Sequence, residues 1–443
     1  MPVNLSLKGE KWCHRLELVE PSGLTTDASW ARTVGNSVPG FDTRTAVVVV
    51  GDRDGATSIA YDELSGHPSL RAVVADREAV TDVAAILFTS GTTGFPKGAA
   101  ATHHYMIQSA LEWVRYTECT EADVLFNPLP LFHVNAQFLT ALPPLLVGCR
   151  AVVAPTFSAS RFWDQIAENH VTQFNYHSSL LAILLRSWPD ELPEHRLRIG
   201  MGAGASRNDW LEFERRTGVP LVEAYGLTEC VTVTAAGLDE RRAGSCGLPS
   251  TGYDVRIFDP QDREVAPDVV GQIVVRPERP FMGFEGYWND PAATVAATRN
   301  LWFHTGDLGW KDDDGYLWFS DRRNDAIRRR GENISSTELE NLAREFPGVV
   351  DCAAVGVTAD LGENEVLVAL ESSQPDLDLE ALIGFMYPRL PYFAVPRFIR
   401  VGALPRNASG RVLKAELKSD AVRAEAWDGL SVIDRLQNEL GRR

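Results

Sequence analysis

Short runs of β-branched and small apolar residues recur along the chain, each separated from the next by a stretch with helical spacing. Ala46 to Val50, Ala84 to Thr89, Ala151 to Ala154, Leu221 to Ala224 and Gln272 to Arg276 read as strands. Phe162 to His170 and Leu180 to Trp188 read as helices between them. This alternation predicts an α/β fold in layers, because strands buried on both faces need helices to cover them. A second unit follows Tyr316 to Ser320. The charged segment Asp321-Arg-Arg-Asn-Asp325 precedes Ser335-Ser-Thr-Glu338, whose hydroxyl and carboxylate three residues apart suit a capping box. Strands at Val349 to Val357 and Val366 to Leu370 and a helix at Leu379 to Tyr387 come next. The expected architecture is a large N-terminal α/β domain, residues 1–323, and a small α+β C-terminal domain, residues 324–443, with the boundary near Asn324.

Charge narrows the choice of partners. Asp and Glu number 60 against 43 Lys and Arg, a net charge of -17 that repels polyphosphate backbones, so nucleic acid is not expected. No apolar run approaches the roughly 18 to 20 residues of a membrane span, and the start of the chain has no signal-peptide core, so neither a membrane nor secretion is expected. Cys13, Cys119, Cys149, Cys230, Cys246 and Cys352 form no C-x-x-C pair, which fits a reducing, cytoplasmic compartment.

The densest chemistry lies in Ile86-Leu-Phe-Thr-Ser-Gly-Thr-Thr-Gly-Phe-Pro-Lys-Gly98, an apolar strand running into four hydroxyls, three glycines and a lysine. Glycines let backbone N–H groups approach phosphate oxygens, while hydroxyls and a cation add donors and charge. It reads as a phosphate loop. Pro96 stands where a Walker A motif needs glycine, so this is a different kind of loop.

That segment resembles the phosphate loop of the acyl-CoA synthetase, peptide-synthetase adenylation domain and luciferase (ANL) superfamily, and further matches follow in the same order. Gly202-Ala-Gly-Ala-Ser206 resembles its adenine-side turn, Glu223-Ala-Tyr-Gly-Leu-Thr-Glu229 its adenylate-binding strand, and His304-Thr-Gly-Asp307 its ribose motif. Asp321-Arg322 and Gly331-Glu-Asn-Ile334 resemble its hinge and the loop after it, and Pro405-Arg-Asn-Ala-Ser-Gly-Arg411 its C-terminal catalytic loop. The resemblance implies that Thr89, Ser90, Gly91, Thr92, Thr93, Gly94 and Lys97 hold phosphates. It places Gly204, Ala205, Ser206, Glu223, Ala224, Tyr225, Gly226, Asp307, Phe319 and Arg322 around AMP, and Thr228, Glu229, Gly331 and Arg411 at the reacting centre, with Glu229 on Mg²⁺. The acyl pocket would take His133, Gln137, Asn175, His177, Gly202 and Gly226. The cofactors implied are ATP with Mg²⁺, acyl-adenylate or AMP, and coenzyme A.

In this superfamily a carboxylate attacks the α-phosphorus of ATP. The small C-terminal domain then swings about a hinge so that a thiol can displace AMP. Three departures bear on whether this chain does both. Arg411 stands where the resemblance expects the adenylating lysine, and a bulky planar fork cannot repeat the contacts of a compact ammonium. Lys414 lies three residues on, roughly 10 Å away in an extended loop at about 3.3 Å per residue, too far to substitute. The hinge position is Asn324 in place of Asp or Lys. The segment from Val47 to Thr81 already resembles the stretch just ahead of the phosphate loop, so part of the usual first subdomain has no counterpart, and a partner chain, a second copy included, would cover the surface left open.

The expected activity is acyl-CoA thioester formation from an acyl-adenylate supplied by a separate adenylating enzyme, with adenylation weak or absent. Within the superfamily this pattern is most similar to non-adenylating ligases of platensimycin biosynthesis, which implies a diterpenoid acid and a place in antibiotic biosynthesis. Two alternatives remain open: a complete ATP-dependent carboxylate–CoA ligase, and a non-catalytic subunit that binds nucleotide or a partner.

Overall fold

The computed structural model describes residues 10–27, 46–50, 59–60, 80–89, 96–322, 325, 327–329, 332–358, 364–406 and 412–440. The expectations placed on Ser90, Gly91, Thr92, Thr93, Gly94, Asn324, Gly331 and Arg411 lie outside these residues.

A seven-stranded sheet organises the large domain. Five strands run parallel in the order Leu221–Tyr225, Ile199–Ala203, Gln173–His177, Val124–Asn127, Arg150–Val153, and two short antiparallel strands, Thr234–Ala235 and Leu248–Pro249, extend it beyond Leu221–Tyr225. Helices Phe162–Glu168, Ser178–Arg186 and Arg207–Thr217 bury Phe162, Ile166, Leu181 and Phe213 against Phe126 and Phe174 on one face. Helix His103–Thr117 buries Tyr105 and Trp113 against Leu125, Met201 and Val222 on the other. With both faces covered, the open ends of the parallel strands are where a ligand can enter.

Two smaller sheets frame those ends. Strands Val83–Phe88 and Gly98–Thr102 pair antiparallel around the phosphate loop, which Thr89 N closes by donating to the Lys97 carbonyl at 2.9 Å, and Gly286–Tyr287 adds a third strand. A four-stranded antiparallel sheet carries Asp307 on Phe303–Lys311, beside Leu317–Arg322. The small domain is a four-stranded sheet, Val349–Thr358, Asn364–Ser372, Phe398–Val401 and Trp427–Asp428, packed by Ser336–Arg344, Leu379–Met386 and Leu430–Leu440. No helix among the described residues is long and apolar enough to cross a membrane.

The strands expected from sequence form within a residue or two, but two helices stop early. Phe162–Glu168 ends before His170 because His170 takes φ +54°, a conformation that no right-handed helix continues. Ser178–Arg186 ends before Trp188, with Ser187 leaving helical geometry. The capping box is half present: Ser335 Oγ accepts from Glu338 N at 3.2 Å. The other cap comes from across the domain boundary, where Asp321 accepts from Ser336 N at 2.6 Å and from Ser336 Oγ at 3.1 Å. A carboxylate there also suits the positive end of the helix dipole.

Candidate active site

The phosphate-loop lysine and the proposed metal carboxylate meet on one residue that the sequence motifs did not single out. Tyr287 pairs in register with Ala99, next to the end of the phosphate hairpin. Its hydroxyl donates to Glu229 Oε1 at 2.7 Å, and Lys97 Nζ sits 4.7 Å from its ring centroid. Burial, then the Glu229 charge, pushes the Tyr287 hydroxyl well above its ordinary pKa, so it stays a donor. Tyr287→Phe should lower kcat/KM about tenfold or more by removing a hydrogen bond to a charged group. Tyr287→Leu should cost roughly a further two- to tenfold through the lost ring–ammonium contact. Steady-state kinetics of both variants check this, and equal losses would show that the ring contributes nothing to Lys97.

Glu223 occupies the strand bordering the turn at Gly204. It is 4% exposed and accepts from Ala205 N at 3.0 Å and from the Tyr176 hydroxyl at 2.7 Å. The same hydroxyl lies 3.0 Å from the Val222 carbonyl, and one phenolic proton cannot serve both acceptors. A proton on Glu223 resolves this. Burial indeed raises its carboxyl to about 7, against the opposing pull of Tyr176 and the backbone donors. Because the folded-state value lies above the unfolded one, the stabilisation is fully present below about 4.5 and is lost as pH rises through about 7. Glu223→Gln should remove that dependence, so its melting temperature relative to wild type should rise between pH 5 and pH 8.5. The effect corresponds to a few kcal/mol at most, on the order of 3, and a flat difference would refute it.

The remaining residues expected on the nucleotide side are positioned by similar contacts. Asp307, 4% exposed, accepts from the Tyr225 hydroxyl at 2.9 Å, and the Tyr225 ring lies 6.4 Å from that of Phe319. Ser206 is spent as a helix cap, accepting from Asp209 N at 3.1 Å. Ala224 and Gly226 continue the strand into a tight turn, where a side chain at Gly226 would meet Thr232 N at 2.6 Å. The Tyr105 hydroxyl stitches that turn, donating to the Thr228 carbonyl at 3.0 Å and accepting from Val231 N at 2.8 Å. Thr228 and Glu229 are thus held by two tyrosines that are distant in sequence. Arg322 lies on the strand next to Asp307, its backbone in register with it.

The expected acyl-pocket residues are less uniform. His133 is half-buried, its ring tilted against that of Phe132 at a centroid distance of 4.5 Å, and leaves Nε2 buried without a partner. His177 ends its strand at the cleft and accepts from Leu180 N at 3.3 Å through Nδ1. Gly202 lets the strand pass Tyr176 closely. Asn175 turns inward, fully buried, and donates to Asn135 and Thr140, so it braces the pocket wall. Gln137 donates back to the Leu131 carbonyl.

A cleft of about 740 Å³ runs between the two domains, lined by His177, Gly204 and Phe319 on one side and by Arg406, Val412 and Lys414 on the other. Arg406 and Val412 form a β-bridge, and Leu413 N donates to the Pro405 carbonyl at 2.7 Å. Both residues flanking 407–411 therefore sit on the cleft wall. Lys414 is not on an extended loop as expected. It opens a one-turn helix, Lys414–Leu417, and its Nζ binds Glu340 at 2.7 Å and Ser336 Oγ.

The AMP-binding enzyme family profile matches residues 1–288, and the AMP-binding enzyme C-terminal domain matches residues 338–411. The chain is an AMP-binding enzyme. Its relatives in sequence include a crotonobetaine/carnitine–CoA ligase of Proteus mirabilis, 34% identical over 352 residues, covering 76% of this chain and 67% of that one. One of Salmonella agona is 29% identical across 94% of this chain and 83% of its own. Among solved structures, ATP-bound MatB of Rhodopseudomonas palustris superposes with a TM-score of 0.85 at 26% identity, covering 96% of this chain and 84% of MatB. O-succinylbenzoate CoA synthetase of Bacillus subtilis with its acyl-adenylate superposes at 0.79 and 27%, covering 94% and 82%. This AMP-binding enzyme is accordingly an acid–CoA ligase by family.

The chemistry of the donor set fits the implied groups. Among the described residues no trio of His, Cys, Asp and Glu converges on a metal-sized site, so Mg²⁺ at Glu229 would draw its other ligands from phosphate and water, its ordinary habit. Such an ion would neutralise phosphate charge. The chain's own part would be to fix Glu229 through Tyr287 and keep Asp307 pointed by Tyr225.

Proposed function

We propose that this acid–CoA ligase family member carries out the second half-reaction: it binds an acyl-adenylate and passes its acyl group to coenzyme A. The thiol sulfur attacks the carbonyl carbon of the mixed anhydride and a C–S bond forms. The C–O bond to phosphate breaks, AMP leaves with the electron pair, and the thiol proton is lost. AMP is a good leaving group, so the step depends mainly on alignment. The observation that carries this reading is Arg411 at the position of the adenylating lysine. Lys414, the nearest replacement, is committed to Glu340 and Ser336 on the small domain, which supports the reading further. Glu223, Glu229 and Asp307, the carboxylates expected on the AMP side, are each bonded to a tyrosine hydroxyl, which supports the reading.

In this reading residues 1–323 bind the adenylate and acyl group, and residues 324–443 form a mobile domain that rotates about Asn324 and brings Gly331 to the thiol. A separate adenylating enzyme would supply the substrate. The narrower resemblance to non-adenylating ligases of platensimycin biosynthesis makes a diterpenoid acid, and so antibiotic biosynthesis, part of the proposal, although the relatives named above are carnitine–CoA ligases. A complete ATP-dependent ligase is the second reading, favoured by the ATP-bound state of MatB. The test is a two-arm assay, with acid, ATP and CoA in one and synthetic acyl-adenylate and CoA in the other. Thioester from the adenylate alone supports the proposal. Comparable product from both arms supports the second reading, and product from neither removes both.

A further inference from the structure

Lys414 is a cation on the cleft wall that the proposed reaction leaves without a role, and its contacts lead out of the small domain. Its Nζ pairs with Glu340 Oε1 at 2.7 Å and donates to Ser336 Oγ. Ser336 Oγ lies 3.1 Å from Asp321 Oδ1, and Ser336 N donates to Asp321 Oδ2 at 2.6 Å. An ammonium has only protons to give, so the single hydroxyl proton of Ser336 is left for the carboxylate. The bonds therefore run one way, from Lys414 through Ser336 to Asp321. Asp321 is 3% exposed and Ser336 is fully buried. A buried carboxylate is costly unless charge and hydrogen bonds compensate it, and a helix N-terminus with a polarised hydroxyl does so here.

Three separate stretches of chain meet at that hydroxyl. Asp321 lies on strand Leu317–Arg322, directly before the domain boundary. Ser336 opens the first helix after the boundary, Ser336–Arg344, and Lys414 opens the short helix that follows residues 407–411. Ser335 Oγ adds another bond across the boundary, donating to the Ser320 carbonyl at 2.8 Å. Glu340, the second partner of Lys414, also accepts from Ala354 N at 2.9 Å on strand Val349–Thr358. On the other side of residues 407–411, Arg406 is held by Asp351 at 2.7 Å and Glu371 at 3.0 Å. A cation thus anchors each foot of that stretch on the small domain, and the Lys414 foot continues through Ser336 to the large one.

We propose that the Ser336 hydroxyl is a joint that ties residues 407–411 to the orientation of the two domains, with Lys414 and Asp321 as positioning residues on either side of it. The boundary near Asn324 lies between Asp321 and Ser336, so rotation there moves one away from the other. A turned domain gives up these buried bonds, and the observed orientation is favoured by that loss. The inference rests on the proposed function only in taking the domains to turn at this boundary.

The test reads domain orientation directly. Nitroxide labels at Asp313→Cys and Asp376→Cys, exposed positions on the large and the small domain, are placed in the full chain carrying Cys13→Ser, where the other cysteines are buried. Distances are measured by double electron–electron resonance with and without AMP. The otherwise unaltered chain should show one dominant distance, that of the observed orientation. Ser336→Ala should raise the population at a second distance about tenfold or more, the scale of a lost hydrogen bond to a charged group. Asp321→Asn and Lys414→Met should shift it in the same direction, and combined they should shift it by less than the product of their single effects, because both act through one hydroxyl. Ser336→Thr, which keeps the hydroxyl, should retain the original distribution. Glu338→Gly, which weakens the same helix from an exposed position, should leave the distances alone. An equal shift in Glu338→Gly, or the full product from the combined variant, overturns the proposal. So does a Ser336→Ala protein that melts lower with unaltered distances, which marks a helix cap and nothing more. Thioester formation from supplied adenylate, assayed on the same proteins, keeps the two claims apart. No thioester with shifted distances sinks the proposed function and leaves the joint standing, and thioester with fixed distances does the reverse.

Discussion

Arg411→Lys raises acid-dependent ATP–pyrophosphate exchange by about a hundred- to a thousandfold, the size of effect expected when one preorganised electrostatic contact is restored at a reacting phosphoryl group. An ammonium can sit between the acid's carboxylate and the α-phosphate. A guanidinium carries the same charge on a wider, flatter group whose donors are fixed in direction. Thioester formation from supplied adenylate should stay within a few-fold of wild type, because that step draws little on the residue. Exchange measured with radiolabelled pyrophosphate, beside thioester formation measured by chromatography, separates the two effects. The account fails if the unaltered protein already exchanges pyrophosphate briskly, or if lysine changes nothing.

Gly202→Ala should be a strongly damaging single-atom change at the candidate site. Gly202 pairs with Tyr176 across the sheet, and a Cβ there would lie 2.3 Å from the Tyr176 carbonyl oxygen and 2.5 Å from its ring. Either the strand or the ring must move, and overpacking of this kind costs about 1 to 3 kcal/mol. The displaced ring would take its hydroxyl from Glu223, leaving a buried carboxyl short of a partner at about 1 to 3 kcal/mol more. Both a lower melting temperature and a roughly ten- to hundredfold weaker affinity for AMP should follow. Gly384→Ala serves as the control. It lies within helix Leu379–Met386 with nothing within 4 Å of its added methyl, and should be neutral or slightly stabilising. A Gly202→Ala protein that melts and binds AMP like wild type would show that the sheet yields at this point.

Much of this site was legible because its residues come in short runs. Glu223 to Glu229 and His304 to Asp307 are contiguous, and a strand followed by a turn places neighbouring side chains in a fixed relation. The layers were legible for the same reason, since each strand announces itself over four to six residues. What escaped was the set of partners. Tyr105 reaches Thr228 across 123 positions, Tyr225 reaches Asp307 across 82, and Tyr287 reaches Glu229 across 58. Nothing local marks a tyrosine as a hydroxyl donor for a carboxylate in another sheet. The cap that Asp321 places on Ser336 was hidden too, by the closer Ser335–Glu338 pair.

The three tyrosines that hold Glu223, Asp307 and Glu229 also set how the protein should respond to base. Burial, together with the charge of the carboxyl each one faces, pushes Tyr176, Tyr225 and Tyr287 well above the ordinary phenol range. None of these hydroxyls ionises where enzymes are normally assayed, so Tyr225 and Tyr287 remain donors to Asp307 and Glu229 in alkaline solution, although Glu223 has by then lost its proton. A free thiol, by contrast, gives up its proton near pH 8.5. Once Glu223 has titrated, the alkaline limb of the rate profile should track the incoming nucleophile, climbing as more thiolate becomes available, rather than the loss of these two hydroxyl donors.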